Sequence, residues 1–306
     1  MTTVLENSTR ENQNLETIME CLEKCFIQIS ELIRDQDSIS LESVDDATNI
    51  SGDTVKQLDL LSNTIIKNAL KKCSLVRAIG SEEESDLVCT ENIEAPYLVC
   101  YDPLDGSSNI GVNITTGTIF GVYKYDSNGK IGSGRDTVLA GYCLYGGSTQ
   151  CIVANNETCS MYQLSVRENK FKCVNNNVLI PNKGNIYSIN ESNKYDWIDP
   201  RYYKVVNSFI GDKYTTRWVG SLVADAHRTI LKGGFFAYPG NIKNLAGKIR
   251  LLYEAYPFAF IFEKAGGVSS DGETRLLDVP FPSEKIHQKT PIILSGKSEF
   301  ERFANL

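Results

Sequence analysis

Two aspartates, Asp102 and Asp105, end the segment of this sequence that carries the clearest chemistry. They follow the apolar run Tyr97-Leu-Val-Cys-Tyr101, whose composition is typical of a buried β-strand. Pro103 restricts Asp102 to an extended conformation, because the proline ring clashes with a helical residue before it. We therefore expect both carboxylates to project from the end of a strand.

The residues around the two aspartates would suit a cation and a phosphate. Carboxylate oxygens, together with the carbonyl of Leu104, are the hard ligands that Mg²⁺ prefers. The turn Gly106-Ser107-Ser108 presents backbone N–H groups of the kind that bind phosphate. The bare spacing fits equally well a type I turn in which the aspartates are only local caps.

Two further acidic features favour the metal-binding interpretation. Ser81 is followed by Glu82, Glu83 and Glu84, a run that by itself is typical of a solvated loop. Glu254 lies in an otherwise apolar stretch, where an unpaired buried carboxylate would cost several kcal/mol. Three separated acid groups, one of them in apolar surroundings, indicate a site for two or three metal ions.

Composition excludes several other classes of protein. The chain has 306 residues, of which 42% are hydrophobic and 23% charged, as in ordinary soluble globular proteins. A net charge of −7 argues against nonspecific binding to nucleic acid or to an anionic membrane. The nine cysteines form no C-x-x-C pair, and the N-terminus has no targeting pattern, so we expect reduced thiols and a cytoplasmic location.

Hydrophobic spacing predicts how the chain is organised. Helices are expected at 15–33 and from Asp53, with a mobile loop at 35–52 between them. Polar residues near 175–184 suggest a boundary between two domains, which gives an N-terminal domain at 1–178 and a C-terminal domain at 179–306. Other expected elements are strands at 97–101, 117–123, 138–145, 149–154, 160–164, 234–238 and 291–294, and helices at 221–232 and 251–265.

Four segments together resemble the fructose-1,6-bisphosphatase family, from about Leu15 to the C-terminus. Ser-Ser-Asn after Asp-Pro-Leu-Asp-Gly separates this family from its inositol phosphatase relatives. The segments are Ser81-Glu-Glu, Tyr101-Asp-Pro-Leu-Asp-Gly-Ser-Ser-Asn-Ile110, Val219-Gly-Ser-Leu-Val-Ala-Asp-Ala-His-Arg-Thr229 and Gly247-Lys-Ile-Arg-Leu-Leu-Tyr-Glu254.

The resemblance implies a fold and a reaction. The fold is a layered α-β-α-β-α sugar phosphatase fold, in which helices sandwich two mixed or antiparallel sheets. The reaction is Mg²⁺-dependent hydrolysis of the 1-phosphate of fructose 1,6-bisphosphate in gluconeogenesis. It implies about two or three Mg²⁺ ions per active site, which Mn²⁺ can replace. The implied metal ligands are Glu82, Glu83, Asp102, the carbonyl of Leu104, Asp105 and Glu254.

The same resemblance assigns the other site residues. Asp59 and Glu83 would activate the attacking water, and the loop at 35–52 would close over the metals. Arg217 would enter the site from a neighbouring subunit, which implies a homodimer or homotetramer. The implied contacts to the phosphates and the sugar are Asp105, Gly106, Ser107, Ser108, Asn190, Arg217, Leu222, Tyr238, Lys248 and Arg250.

Departures from the family pattern leave alternatives open. Trp218 stands where animal members have a tyrosine, and it has no phenolic donor for a phosphate. This substitution keeps sedoheptulose-1,7-bisphosphatase as an alternative activity, and a catalytically silent metabolite-binding protein is a third. Asn12–Asn14 and Pro96 replace AMP ligands of the animal enzymes, so we expect weak or absent inhibition by AMP.

Overall fold

Two long amphipathic helices begin the part of the chain that the computed structural model describes, residues 10–35, 57–282 and 285–306. They are α1 (Arg10–Arg34) and α2 (Gln57–Lys71). Leu15, Ile18 and Leu22 lie on the buried stripe of α1, at the spacing of one helix face. The helix predicted at 15–33 is confirmed and begins earlier. The predicted loop beyond residue 35 and the helix start at Asp53 lie outside the described residues.

An eight-stranded sheet forms the first half of the structure. The strands predicted at 97–101, 117–123, 138–145, 149–154 and 160–164 are confirmed, whereas the short strand at 88–89 and the last strand were not predicted. The strands are β1 (Val76–Ser81), β2 (Val88–Cys89), β3 (Tyr97–Asp105), β4 (Thr116–Lys124), β5 (Thr137–Tyr145), β6 (Thr149–Asn155), β7 (Cys159–Ser165) and β8 (Lys170–Asn175). Their order is β2-β1-β3-β4-β5-β6-β7-β8, with β1 and β3 parallel and the other pairs antiparallel.

Helices cover both faces of this sheet, and β3 is buried along its whole length as a result. Tyr97, Val99 and Tyr101 point into one hydrophobic cluster, which includes the apolar faces of α1 and α2. Leu98 and Cys100 point into another cluster on the opposite face. This alternation is the period of a β-strand, and it places the end of β3 deep inside the protein.

A second, five-stranded sheet forms the other half. Helices α3 and α6, which were not predicted, pack on its outer face. The elements are β9 (Ile186–Ile189), α3 (Pro200–Gly211), β10 (Thr215–Thr216), α4 (Leu222–Lys232), β11 (Phe235–Tyr238), β12 (Ile249–Arg250), α5 (Tyr256–Lys264), β13 (Val268–Ser270), β14 (Lys289–Thr290), β15 (Ile292–Ser295) and α6 (Lys297–Ala304). The sheet order is β10-β9-β11-β15-β13, and β12 pairs with β14 separately.

Helices α4 and α5 contribute to the core between the two sheets. The fold is therefore the layered α-β-α-β-α arrangement with two mixed sheets, as predicted. The chain passes from one sheet to the other between β8 and β9, and the domain boundary at 178/179 stays a prediction. Among the helices of the described residues, none is both long and apolar enough to cross a bilayer.

The helix predicted at 251–265 is divided into two parts. Leu251–Ala255 forms a π-helical turn, and α5 continues from Tyr256. Pro257 has no N–H and cannot make the α-helical hydrogen bond to Tyr253, which favours a wider turn at this point. Glu254 lies within the π-helical turn.

Candidate active site

A bulge at the end of β3 brings Asp102 and Asp105 together. In a regular strand, residues three apart point to opposite faces. Here Asp102 pairs with Ile119 and Asp105 pairs with Gly117, so β3 contains one residue more than β4 between these pairs. The Oδ1 atom of Asp102 accepts a hydrogen bond from the Leu104 N–H at 2.9 Å. The bulge therefore turns both carboxylates toward one cavity.

Asp105 joins the end of β3 to the start of α4. Its Oδ2 atom accepts hydrogen bonds from the Ser221 hydroxyl and the Val223 N–H, each at 2.8 Å. Gly106 follows with φ +78°, and a Cβ atom there would lie 2.8 Å from the Ser221 side chain. Only glycine fits this close, left-handed turn without strain.

Glu254 reaches the same place from the opposite half of the molecule. The π-helical turn packs against β3. The Oε2 atom of Glu254 accepts a hydrogen bond from the Arg250 N–H at 2.5 Å. One carboxylate oxygen from each of Asp102, Asp105 and Glu254 lies within 4.8 Å of the other two. Two distant parts of the sequence, the end of β3 and the π-helical turn, thus supply one acidic cluster.

The acidic cluster is buried, with exposed fractions of 2% for Asp102, 9% for Asp105 and 8% for Glu254. Burial, and next the charge of Glu82, raise the pKa of Asp102 and of Glu254. Burial also raises the pKa of Asp105 to about 6, against hydrogen bonds from Val223 and Ser221 that lower it. Such a group of carboxylates is costly without a counter-charge, and an all-oxygen donor set suits a hard divalent cation.

The cluster lies in a cavity of about 570 Å³ that also holds most of the other predicted site residues. Asp59 lies in the first turn of α2, and Glu82 and Glu83 follow β1. A guanidinium nitrogen of Arg250 lies 3.9 Å from a carboxylate oxygen of Glu82. The predicted residues that line the cavity are Asp59, Glu82, Glu83, Asp102, Leu104, Asp105, Gly106, Ser107, Ser108, Leu222, Tyr238, Lys248, Arg250 and Glu254.

Asn190 and Arg217 are not brought into the lining that the described residues form. Asn190 precedes a short 3₁₀ turn and accepts a hydrogen bond from the Ser192 hydroxyl at 2.5 Å. Arg217 is exposed on the loop before α4, and its guanidinium donates to the Thr216 carbonyl. The assignment of these two residues to a substrate pocket stays a prediction.

Asp225 lines the cavity and was not identified from the sequence. It is fully buried and accepts hydrogen bonds from the Val219 and Gly220 N–H groups at 3.1 and 3.0 Å. The sign in the sequence that could have identified Asp225 is a carboxylate on the apolar face of the helix predicted at 221–232. The other lining residues that sequence reasoning did not assign to the site are Trp218, Gly220, Ser221, Phe236, Ile249 and Lys289.

Comparison with known proteins decides the family. Residues 2–176 match the family described as fructose-1-6-bisphosphatase, N-terminal domain, and residues 180–306 match fructose-1-6-bisphosphatase, C-terminal domain. The chain belongs to the fructose-1,6-bisphosphatase family. The prediction from the sequence motifs is therefore confirmed.

Relatives in this fructose-1,6-bisphosphatase family match most of the chain. The class 1 enzyme of Sulfurihydrogenibium is 41% identical over 262 residues, which are 84% of this chain and 80% of that protein. The enzyme named cytosolic in Arabidopsis thaliana is 40% identical over a stretch that makes up 85% of this chain and 79% of that protein. The holo-form crystal structure of Leishmania major fructose-1,6-bisphosphatase superposes with a TM-score of 0.92 at 31% identity, covering 98% and 96% of the two chains.

Proposed function

We propose that this protein hydrolyses the 1-phosphate of fructose 1,6-bisphosphate to give fructose 6-phosphate and inorganic phosphate, with Mg²⁺ as cofactor. The proposal depends above all on one observation. The buried carboxylates of Asp102, Asp105 and Glu254 lie in the same cavity as the Gly106–Ser108 turn. Acids of this kind hold cations, and the turn is suited to the phosphoryl group that the cations neutralise.

The carboxylates of Glu82, Glu83, Asp102, Asp105 and Glu254, with the Leu104 carbonyl, would hold about two or three Mg²⁺ ions, or Mn²⁺ in their place. When bound, the cations supply charge neutralisation, a lower pKa for water and stabilisation of the leaving oxygen. The high pKa values of Asp102 and Glu254 without a cation support this assignment, since a cation would replace the protons that burial favours.

The remaining groups of the chain position the reactants. Asp59 and Glu83 line the cavity and would orient the attacking water and accept its proton. Backbone N–H groups at Gly106, Ser107 and Ser108 would donate to the phosphoryl oxygens as their charge changes. Arg250, buried and adjacent to Glu82, would donate to the substrate.

The other phosphate would lie toward the second sheet. Tyr238, at the end of β11, and Lys248 line the cavity, and Leu222 contributes the start of α4. Asn190 and an Arg217 from a neighbouring subunit would complete the pocket, so the working form would be a homodimer or homotetramer. In this arrangement residues 1–178 supply all of the proposed metal ligands except Glu254, and residues 179–306 hold the sugar phosphate. We place the reaction in gluconeogenesis in the cytoplasm, in line with the cytosolic Arabidopsis relative.

Sedoheptulose-1,7-bisphosphatase is a second candidate, because of one aromatic residue. Trp218 lines the cavity 6.1 Å from the ring of Tyr238 and is 38% exposed. The indole of Trp218 offers apolar surface and a single N–H donor. A tyrosine at this position would have to bond a phosphate through its hydroxyl, which restricts the length of the sugar more than the indole does.

One assay tests these functions together. Purified protein is incubated with each of the two sugar bisphosphates, first with Mg²⁺ and then with excess EDTA, and released orthophosphate is measured. We expect release that EDTA abolishes, with a higher kcat/KM for fructose 1,6-bisphosphate. A higher kcat/KM for the seven-carbon substrate would favour the second candidate. No release from either would indicate a binding protein without catalysis.

A further inference from the structure

Glu84 lies next to the acids of the cavity, but it is absent from the described lining and has contacts of its own. Its Oε1 atom accepts hydrogen bonds from two side chains of α2, the Asn63 amide at 2.9 Å and the Lys67 ammonium at 2.5 Å. Asn63 and Lys67 are one and two turns after Asp59, on the same face of α2. The Glu84 carboxylate thus ties the loop of Glu82 and Glu83 to the helix that carries Asp59.

The amide of Asn63 is itself fixed. Its Oδ1 atom accepts hydrogen bonds from the Ser81 hydroxyl at 2.8 Å and from the Tyr101 hydroxyl at 2.9 Å. The Nδ2 atom of Asn63 is then left to donate to Glu84. If Oδ1 and Nδ2 were exchanged, an oxygen would face the Glu84 carboxylate, which can only accept, and this hydrogen bond would be lost. The link between α2 and the acidic loop is therefore held in one orientation.

The backbone of Glu84 makes a second link, to the other half of the molecule. Its carbonyl oxygen lies 2.9 Å from Nε2 of His287, and Nδ1 of the same imidazole lies 2.7 Å from the Tyr253 hydroxyl. A carbonyl only accepts, so Nε2 carries the proton, and Nδ1 of the neutral ring accepts from Tyr253. Tyr253 precedes Glu254 in the π-helical turn.

These contacts join three of the segments that supply acids to the cavity: the start of α2, the loop after β1 and the π-helical turn. We propose that Glu84, His287 and Tyr253 are positioning residues, a clamp that sets the spacing of Asp59, Glu82, Glu83 and Glu254 for cation binding. This inference rests on the metal site of the proposed function. Acids that repel one another need such external restraint to stay close before a cation arrives.

The chain contains a matched control for the Tyr253–His287 pair. The Tyr142 hydroxyl lies 2.9 Å from Nδ1 of His227, and both pairs have edge-to-face rings, with centroids 5.8 and 5.9 Å apart. Both tyrosines are fully buried, and neither lies in the described lining of the cavity. Tyr142→Phe and Tyr253→Phe therefore each remove a buried tyrosine–histidine hydrogen bond, but only Tyr253 lies near the charges of Glu82 and Arg250 and belongs to the clamp.

Binding of Mn²⁺ to the full-length protein, followed by the electron paramagnetic resonance of the free ion, tests the clamp without substrate. We expect the dissociation constant to rise by about 10- to 100-fold for Glu84→Ala and for Tyr253→Phe, the range found when a group that orients metal ligands is removed. Tyr142→Phe should bind Mn²⁺ as the wild type does. Glu84→Gln keeps a carbonyl acceptor for Asn63 and should recover part of the loss.

Thermal unfolding separates positioning from loss of the fold. Tyr253→Phe and Tyr142→Phe should lower the melting temperature by similar amounts, whereas only Tyr253→Phe weakens Mn²⁺ binding. If Glu84→Ala does not fold, Glu84→Gln takes its place, with a smaller expected rise. Unchanged Mn²⁺ affinity in either folded Glu84 variant or in Tyr253→Phe would overturn the clamp, as would equal weakening by Tyr142→Phe.

The outcome for the clamp is independent of the outcome for the reaction. A wild-type protein that binds Mn²⁺ but releases no phosphate from fructose 1,6-bisphosphate would contradict the proposed function, and the Mn²⁺ affinities of the variants would still decide the clamp. In an active wild type, the clamp variants should need more Mg²⁺ for half-maximal activity, with kcat at saturating Mg²⁺ changed far less.

Discussion

The two ends of the cavity are built in opposite ways. At the acidic end, Asp102, Asp105 and Glu254 are buried, and each accepts a backbone N–H hydrogen bond. At the end that we propose for the sugar phosphate, Lys248 is exposed; Arg217, which we propose comes from a neighbouring subunit, is also exposed and lies outside the lining formed by the described residues of one chain.

This difference reflects what each end must hold. A cluster of like charges is stable only where surrounding elements fix it and a cation compensates it, so the acids lie at the ends of packed elements. A phosphate dianion brings its own charge and water shell, so flexible lysine and arginine side chains at the rim are sufficient to bind it. We therefore expect substitutions at the acidic end to change catalysis, and substitutions at the other end to change mainly KM.

Asp102→Asn should have the largest effect. It removes one negative charge from the centre of the acidic cluster without changing the size of the side chain. We expect kcat for phosphate release to fall by about 1,000-fold or more, the scale on which removal of one group that organises transition-state charge acts. Steady-state kinetics at saturating Mg²⁺ measures this, and wild-type turnover by the variant would refute the metal role of Asp102.

The acidic cluster of the metal-free protein should contribute more to stability as the pH falls from 7.5 to 5. Burial raises the pKa of Asp105 to about 6 from its ordinary value of 3.8, so the folded state holds a proton that the unfolded chain has lost. The stabilisation is complete below about pH 4 and is lost as the pH rises through 6, and it amounts to about 3 kcal/mol.

Melting temperatures in EDTA across this pH range test the prediction. Asp105→Asn should flatten the profile in part, because Asp102 and Glu254 also have raised pKa values. Saturating Mg²⁺ should reverse the slope, since the cation binds the ionised acids. Burial lowers the pKa of His227 to about 4, which opposes this slope below pH 6.5. An equal slope in the wild type and in Asp105→Asn is therefore the result that would mean that the cluster is more solvated than its burial indicates.

Arg217→Ala tests whether a second subunit completes the sugar-phosphate end. We expect KM for fructose 1,6-bisphosphate to rise by about 10- to 100-fold, the value of a charge-assisted hydrogen bond to phosphate, with a small change in kcat. Mixing Arg217→Ala with Asp102→Asn subunits is the decisive measurement. Hybrids recover the wild-type KM if Arg217 serves the neighbouring site, and they keep the raised KM of Arg217→Ala if it serves its own.

Lys248→Met should have the smallest effect of the four. Lys248 is exposed at the rim of the cavity, where water and salt screen its charge. We expect KM to rise about fivefold at low ionic strength and less in high salt, with kcat unchanged. A fall in kcat that resembles the effect of Asp102→Asn would remove the distinction between the two ends of the cavity.

Sequence patterns predicted those elements whose own residues carry the necessary period. The apolar stripe of α1 and the strands at the centre of the first sheet are examples. Helix α3 was not predicted, although Asp199 caps it and Pro200 begins it. The π-helical turn at Leu251 was taken for part of an α-helix, because hydrophobicity reports burial and does not report the width of a turn.

The sequence by itself determined the acidic and phosphate-binding residue types, their motifs and the family, because these depend on residue identity and local spacing. Only the tertiary structure decided that a bulge turns Asp102 and Asp105 to one side, and that Glu254 joins them from a turn some 150 residues later. It also decided that Glu84 and His287 link these segments. Such contacts arise from the packing of two sheets and the helices between them, and no local pattern encodes them.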